Sequence, residues 1–501
     1  MRRIDRHEFL ARSAKTALVV GAASQLGWLS ACGPTESSGP SLRSFAESLE
    51  GPVFVPGDAG YREASQLFNP RFDDIRPQVI AFCESPDDVR KAIAWSREQE
   101  MPIVARCGGH SYGGYSSVEG LVADVTRMNR IDVDPSEGTA AIGAGSYLSN
   151  VYAALAGHNV AIPAGTCPTV GISGLTLGGG IGMSSRKLGL TADNLLEVEL
   201  VTASGEVVTA SERERPELFW ACRGGGSGNF GIATGFKFRV HPVGDVAIYD
   251  FRWSWEDARA VFDAWQRFAP HAPDELSPVC TLAKAAADPG RNDPEPFVSS
   301  SGQYFGSQSE LRSLLEPLLS AGTPTQQTLT TMSFLDAQKH WAGGDPSRSP
   351  HKAKSDYVAE PFSDRAIETM IRWVEDWPGS SNPQGGAIQI EAYGGAINRV
   401  PEDATSFIHR GDLFSCQYLA YWDQGDPQRV ADANLAWIAG FYDEMRPFVS
   451  GFAYQNNIDP DLAGWERAYY GSALERLMDV KATYDPDDVF HSAQSIPLSR
   501  T

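Results

Sequence analysis

A histidine and a cysteine each sit inside a glycine run of this chain. His110 lies in CGGHSYGGYS (107–116), and Cys167 in PAGTCPTVGISGLTLGGGIG (163–182). Both side chains are nucleophiles. Glycine permits close backbone approach and lets successive N–H groups converge on an anion. RGGGSGNFG (223–231) and AYGGA (392–396) are two further runs. Taken singly, each run is better read as tight turns in a β-rich domain, and a lone His or Cys is ordinarily structural. Taken together, the first three predict loops around a pyrophosphate-bearing cofactor, with an imidazole and a thiol beside it.

Composition narrows the partners. The 501 residues carry a formal net charge of −21, which opposes binding to nucleic acid, whose phosphates need a basic footprint. Seven cysteines occur in irregular spacing without a CxxC pair. That predicts no zinc ribbon, no disulfide framework and no metal site. The chain is too long for one simple core, so two or more domains are expected.

The elements that must position these loops follow from periodicity and caps. ESPDDVRKAIAWSREQEMPIVARC reads as a helix and then a strand, with Ser85 as cap, Pro86 in the first turn and an inward stripe of Val89, Ala92, Ile93 and Ser96. GLVADVT, TAAIGA, VAIPAG and GIATGFKFRV read as strands, YLSNVYAALAGHN as a helix, and LLEVELVTASGEVVTA as a hairpin turning at Ser204–Gly205. No GxGxxG separates a strand from a helix, which argues against a Rossmann unit. From about 246 the strands lengthen. VAIYDFRWSW, PFVSSSGQYFG, GAIQIEAYGGA and LFSCQYLAYW alternate with the helical EDARAVFDAWQRFA, SELRSLLEPLLSAG and VADANLAWIAGFYDEM. The expected class is α+β, with an antiparallel sheet covered by helices on one face.

The ordered motifs resemble those of the bicovalent flavoprotein oxidases of the berberine bridge enzyme and oligosaccharide oxidase group, in the vanillyl-alcohol-oxidase superfamily with its PCMH-type FAD-binding domain. RCGGHSYGGYS resembles R-x-G-G-H-S, and AGTCPTVGISG resembles A-G-x-C-P-T-V-G. GLTADNLLEVELVTASGE, LFWACRGGGSGNFGI, FAYQNNIDPDL and YDPDDVFHSAQSIP follow in the family's order. The resemblance implies a two-domain flavoprotein holding FAD through two bonds, from His110 to the 8α-methyl carbon and from Cys167 to ring carbon C6. It implies that Arg106, Gly108, Gly109, Ser111, Tyr112 and Gly113 line the pyrophosphate side, and that Val170, Gly171, Gly174, Asn229, Ile232 and Asn456 complete the pocket. Val170 stands where a small residue is a gate admitting oxygen, which leans toward an oxidase.

The same resemblance names a base. Tyr454, in YQNNID, stands where a family tyrosine takes the substrate proton, while Asn457 replaces a second tyrosine. A phenol with a pKa of about 10 needs help to act at neutral pH. Alternation puts Gln389, Glu391 and Tyr393 on one face of their strand. By resemblance Glu391 supports the tyrosine and Gln417 lies beside the substrate. Tyr454, Glu391, Gln417 and Tyr393 are therefore the catalytic candidates.

Residues 1–32 combine a basic start with an apolar, small-residue stretch, the layout of an export signal. LSAC resembles a lipobox in which Cys32 would be lipidated, and RHEFL loosely resembles a twin-arginine signal. The expected organisation is a tether over 33–60, an FAD-binding domain over 61–245, a substrate domain over 246–450 and a return to the first domain over 451–501. The expected activity is FAD-dependent oxidation of an alcohol or hemiacetal carbon in a carbohydrate or a glycosylated or polycyclic metabolite, with O2 reduced to H2O2. Two alternatives share the sequence features: a dehydrogenase passing electrons to a quinone or protein, and a non-catalytic ligand-binding lipoprotein.

Overall fold

The computed structural model describes residues 41–285, 294–343 and 348–499. The export signal, the lipobox and Cys32 lie outside the described residues. The tether expected over 33–60 gives way to structure from the helix Leu42–Ser48 onward. The reason is a single aromatic anchor: Phe45 stacks on Trp95 with ring centroids 4.5 Å apart, and its burial docks the helix onto Pro86–Glu98. That second helix starts as its sequence dictates, with the Ser85 side chain accepting from the Asp88 N–H and Pro86 in the first turn.

The first part of the chain builds two sheets around the glycine loops. One has four strands in the order Val53–Phe54, Val79–Phe82, Leu121–Asp124, Ile103–Arg106, parallel except at its first pair. The other is antiparallel, in the order Ile131–Asp134, Thr139–Gly143, Ile232–Arg239, Leu195–Val201, Val207–Ser211. His110 and its glycines follow the strand Ile103–Arg106 directly, so the loop leaves the sheet edge at a defined point. VAIPAG pairs only over Val160–Ala161, against His241–Pro242; Pro163 lacks the N–H a longer ladder would need.

The second part is a seven-stranded antiparallel sheet in the order Gln326–Ser333, Asp245–Ser254, Pro296–Tyr304, Leu276–Lys284, Gly386–Ala392, Phe414–Tyr421, His351–Val358. Helices Ala258–Phe268, Asp364–Glu375 and Gln428–Met445 pack against one face. SELRSLLEPLLSAG is two helices, Gln308–Leu314 and Glu316–Ala321, because Pro317 cannot continue the first. Leu276–Lys284, Gln326–Ser333 and His351–Val358 were not legible as strands.

The last of these carries Lys352, Lys354 and Asp356, all buried. Lys354 Nζ pairs with Asp459 at 2.6 Å, Lys352 pairs with both Asp459 and Asp461, and Asp356 pairs with Arg446. These pairs fasten the C-terminal segment to the sheet edge. Two further buried cations bind the halves together. Arg410 grips both oxygens of Asp193 at 2.8 and 2.7 Å. Arg186 donates to the carbonyls of Leu276 and Ala272 at 2.8 and 2.7 Å, and to that of Tyr393. The AYGGA run serves that contact: a Cβ on Gly394 would sit 2.8 Å from Arg186 Nη1, and one on Gly395 2.2 Å from the Arg186 carbonyl oxygen.

Candidate active site

Between the glycine loops and the open face of the seven-stranded sheet lies a cavity of about 1050 Å³. It exceeds the ~300–1000 Å³ usual for one drug-sized ligand, leaving room for a large cofactor and a substrate together. The sheet supplies its roof in rows. Phe297, Ala283, Ala387 and Leu419 pair in register across four strands, then Ser299, Thr281, Gln389 and Gln417, and then Glu391 beside Ser415. Alternation sends these residues to the cavity and Leu282, Ile388, Ile390, Cys416 and Tyr418 beneath the helices.

On the opposite wall, two loops meet through missing side chains. A Cβ on Gly108 would sit 2.4 Å from the Thr169 carbonyl oxygen, and one on Gly171 2.2 Å from Cys107 Sγ. This contact brings the His110 loop against the Cys167 loop. His110 Nε2 lies 2.9 Å from Thr169 Oγ1, and its ring stacks on Phe68 at 3.9 Å and 17°. Burial pushes the His110 imidazole down to about 3, keeping it neutral. Cys167 is exposed to the cavity, while the enclosing walls raise its thiol by desolvation.

Tyr454 reaches the same cavity from the C-terminal segment. Its backbone N–H donates to Ser355 Oγ at 2.9 Å, on the strand His351–Val358. Its phenolic oxygen accepts from the Gly180 N–H at 2.9 Å and from Asn456 Nδ2 at 2.8 Å. Both donors favour the phenolate, while burial and nearby Glu391 push the other way and leave the phenol raised above its usual value. Glu391 is raised as well, chiefly by desolvation, and accepts from Gln389 Nε2 at 3.0 Å. No cation pairs with it among the described residues. Gln417 Nε2 donates to the Tyr112 hydroxyl at 3.2 Å.

Of the residues singled out in the sequence, Tyr454, Glu391, Gln417, His110, Cys167, Arg106, Gly108, Gly109, Ser111, Tyr112, Val170, Gly171, Gly174, Asn229, Ile232 and Asn456 line this cavity. Arg106 pairs through Nε with Asp124 at 2.8 Å and through Nη2 with the Ala64 carbonyl at 2.6 Å, bracing the loop from behind, while its buried Nη1 has no partner among the described residues. Tyr393 and Gly113 do not line it. The strand ends at Ala392, so alternation stops there; Tyr393 turns into an apolar cluster, its hydroxyl 3.0 Å from that of Tyr357. Gly113 gives room to Tyr115, whose ring would lie 2.9 Å from a Cβ. Thr169, Phe68 and His351 were missed. Thr169 is an unremarked hydroxyl between Pro168 and Val170 until the fold brings His110 to it, and nothing local marks Phe68.

The wall fits a long cofactor with a flat ring and phosphates. Cβ atoms built on Gly174 and Gly228 would meet nothing within 4 Å, so these lining positions leave open space. The wall contains no free cation among the described residues, so its backbone N–H groups and hydroxyls are the available partners for phosphate.

A family model described as FAD binding domain matches residues 77–211, and one described as Berberine and berberine like matches residues 453–497. The uncharacterized FAD-linked oxidoreductase YgaK of Bacillus subtilis (strain 168) is 35% identical over 460 residues, covering 90% of this chain and 98% of its own. BBE-like 1 of Physcomitrella patens has the same fold with a TM-score of 0.82 at 32% identity, over 92% of this chain and 100% of that one. A berberine bridge enzyme variant solved in complex with (S)-reticuline has a TM-score of 0.83 at 26% identity, over 92% and 99%. Near-complete coverage in sequence and in fold leads to one conclusion: the chain belongs to the berberine bridge enzyme-like family of FAD-dependent oxidoreductases, within the VAO/PCMH superfamily.

Proposed function

We propose that this protein is an exported oxidase that carries FAD on two covalent tethers and oxidises an alcohol or hemiacetal carbon of a carbohydrate or a glycosylated or polycyclic metabolite. The observation that carries the reading is the meeting of His110, Cys167 and Tyr454 around one cavity, with two N–H donors on the Tyr454 oxygen. Bound FAD would supply a two-electron acceptor for hydride that O2 can reoxidise, with H2O2 as the product.

The chain's own residues do the rest. His110 and Cys167 would hold the flavin, each through one covalent bond. Tyr454 receives the substrate's hydroxyl proton at its phenolic oxygen, where Gly180 and Asn456 stabilise the charge. Glu391, which has no cation partner among the described residues, acts on Tyr454 electrostatically from the same cavity, and Gln389 holds its carboxylate. Thr281, Ser299, Gln389 and Gln417 offer hydrogen bonds to a neutral, hydroxyl-bearing substrate, while Phe297, Ala283, Ala387 and Leu419 accept its apolar face. Val170 lines the cavity three residues after Cys167, and its modest size supports oxygen access over a dehydrogenase passing electrons to a quinone or protein. A small-molecule substrate accords with the reticuline complex of the relative.

The reading assigns FAD to 61–245 with 451–501 and substrate to 246–450. It assigns export to residues 1–32 and a lipid anchor to Cys32, supported by their composition, and fractionation of cells making the full chain tests this. The test of the activity is turnover of a panel of sugars, glycosides and phenolic alcohols, with oxygen and then anaerobically with a dye. Peroxide formed with substrate supports the oxidase. Turnover with dye alone selects the dehydrogenase, and no turnover with either contradicts an enzyme of this class.

A further inference from the structure

His110 has two ring nitrogens, and only one has a protein partner. Nε2 lies 2.9 Å from Thr169 Oγ1, while Nδ1 has no hydrogen bond among the described residues. A neutral imidazole carries one N–H and one lone pair, and the hydrogen bond made by one nitrogen decides which is which. A hydroxyl that accepts from Nε2–H leaves the lone pair on Nδ1. The reverse arrangement would put the N–H on the nitrogen with no partner. Among the described residues Thr169 Oγ1 makes no other hydrogen bond, so its lone pairs are available to accept.

The surroundings hold this arrangement still. Phe68 stacks on the ring at 3.9 Å, and its backbone N–H donates to the Gly109 carbonyl at 3.1 Å. The bare Gly108 lets the Thr169 segment approach, since a Cβ there would stand 2.4 Å from the Thr169 carbonyl oxygen. Desolvation, aided by His351, keeps His110 neutral and its lone pair unprotonated.

We propose that Thr169 is the positioning residue that sets the tautomer of His110, selecting Nδ1 as the nitrogen that joins the flavin. This rests on the bicovalent reading above. Forming the Nδ1–C8α bond releases one proton from the 8α carbon and one from Nε2. It leaves two electrons on the ring system, which O2 takes up with those two protons as hydrogen peroxide. Once Nδ1 is substituted, Nε2 holds a lone pair, and the same Thr169 hydroxyl turns from acceptor to donor.

The test is peptide mapping of FAD-loaded Thr169→Val and Thr169→Ser full-length chains, reading flavin on the peptides containing His110 and Cys167. The valine is close in shape and lacks the hydroxyl; the serine restores it. The expected result is flavin on both peptides in the wild type and the serine variant. In the valine variant it stays on the Cys167 peptide and drops at least tenfold on the His110 peptide. Undiminished His110 labelling in the valine variant would overturn the proposal. So would loss of both links there, since Thr169 would then hold the whole pocket and not one tautomer. Flavin absent from the wild-type His110 peptide would instead overturn the bicovalent reading itself, and the proposal with it.

Discussion

At the scale of single residues, the site divides its labour between a phenol and a carboxyl. Tyr454 has two N–H donors on its oxygen, yet burial raises it, so removing the phenol removes the group while the donors remain. Tyr454→Phe is expected to lower kcat by about 10²–10⁴, the usual worth of a general base, with FAD content unchanged by absorbance. Glu391 is raised by desolvation, so its proton persists above the ~4.3 of a free glutamate and its ionised form is lost as pH falls through the raised value. kcat/KM should therefore decline on the acid side with a limb above the ordinary carboxylate range. Glu391→Gln should flatten that limb in a pH–rate profile. The sequence singled out both residues, and both line the cavity. Tyr393 was misread, since alternation was carried one residue past Ala392, where the ladder ends and the chain turns through Gly394 and Gly395.

At the scale of elements, the glycine loops were legible because their demand is local: two backbones in contact leave no space for a Cβ, and the sequence must show glycine. The edge strand His351–Val358 was not. Lys352, Lys354 and Asp356 look like a solvated segment until their partners arrive from residues about a hundred positions away. Asp459 is the hub, and it lies five residues after Tyr454. Asp459→Asn leaves Lys354 buried without its carboxylate, while Lys352 keeps only the exposed Asp461. Removing one partner from a buried ion pair costs about 3–5 kcal/mol. The denaturant midpoint should fall accordingly. Because the Tyr454 segment loses its fastening, kcat should fall as well, while adding Lys354→Met, which removes the orphaned buried charge, should recover part of the stability. The start of the helix Pro86–Glu98 was read from its Ser85 cap, whereas the capping box at Ser307 and Glu310 was not.

At the scale of the whole molecule, a helix-backed sheet and a glycine-loop domain close on one cavity. Buried cations at Arg186, Arg410 and Lys354 hold the two together. The fold class was legible because strand length and helix spacing change near residue 246. Three of the seven strands were not: Gln326–Ser333 and His351–Val358 are mostly polar, the first at an exposed edge and the second paired with distant charges, and Leu276–Lys284 is interrupted by Pro278. A cofactor held at two points needs no tight protein cover, which accords with a roof whose described strand lining is uncharged apart from Glu391 and leaves a cavity of about 1050 Å³. The most direct measurement is the absorbance and intact mass of the purified, denatured protein. The account predicts a yellow chain heavier than its amino acids by one FAD, an adduct that survives in His110→Ala and in Cys167→Ala but not in the double variant. A colourless chain with the mass of its polypeptide alone, from riboflavin-replete cells, would contradict it.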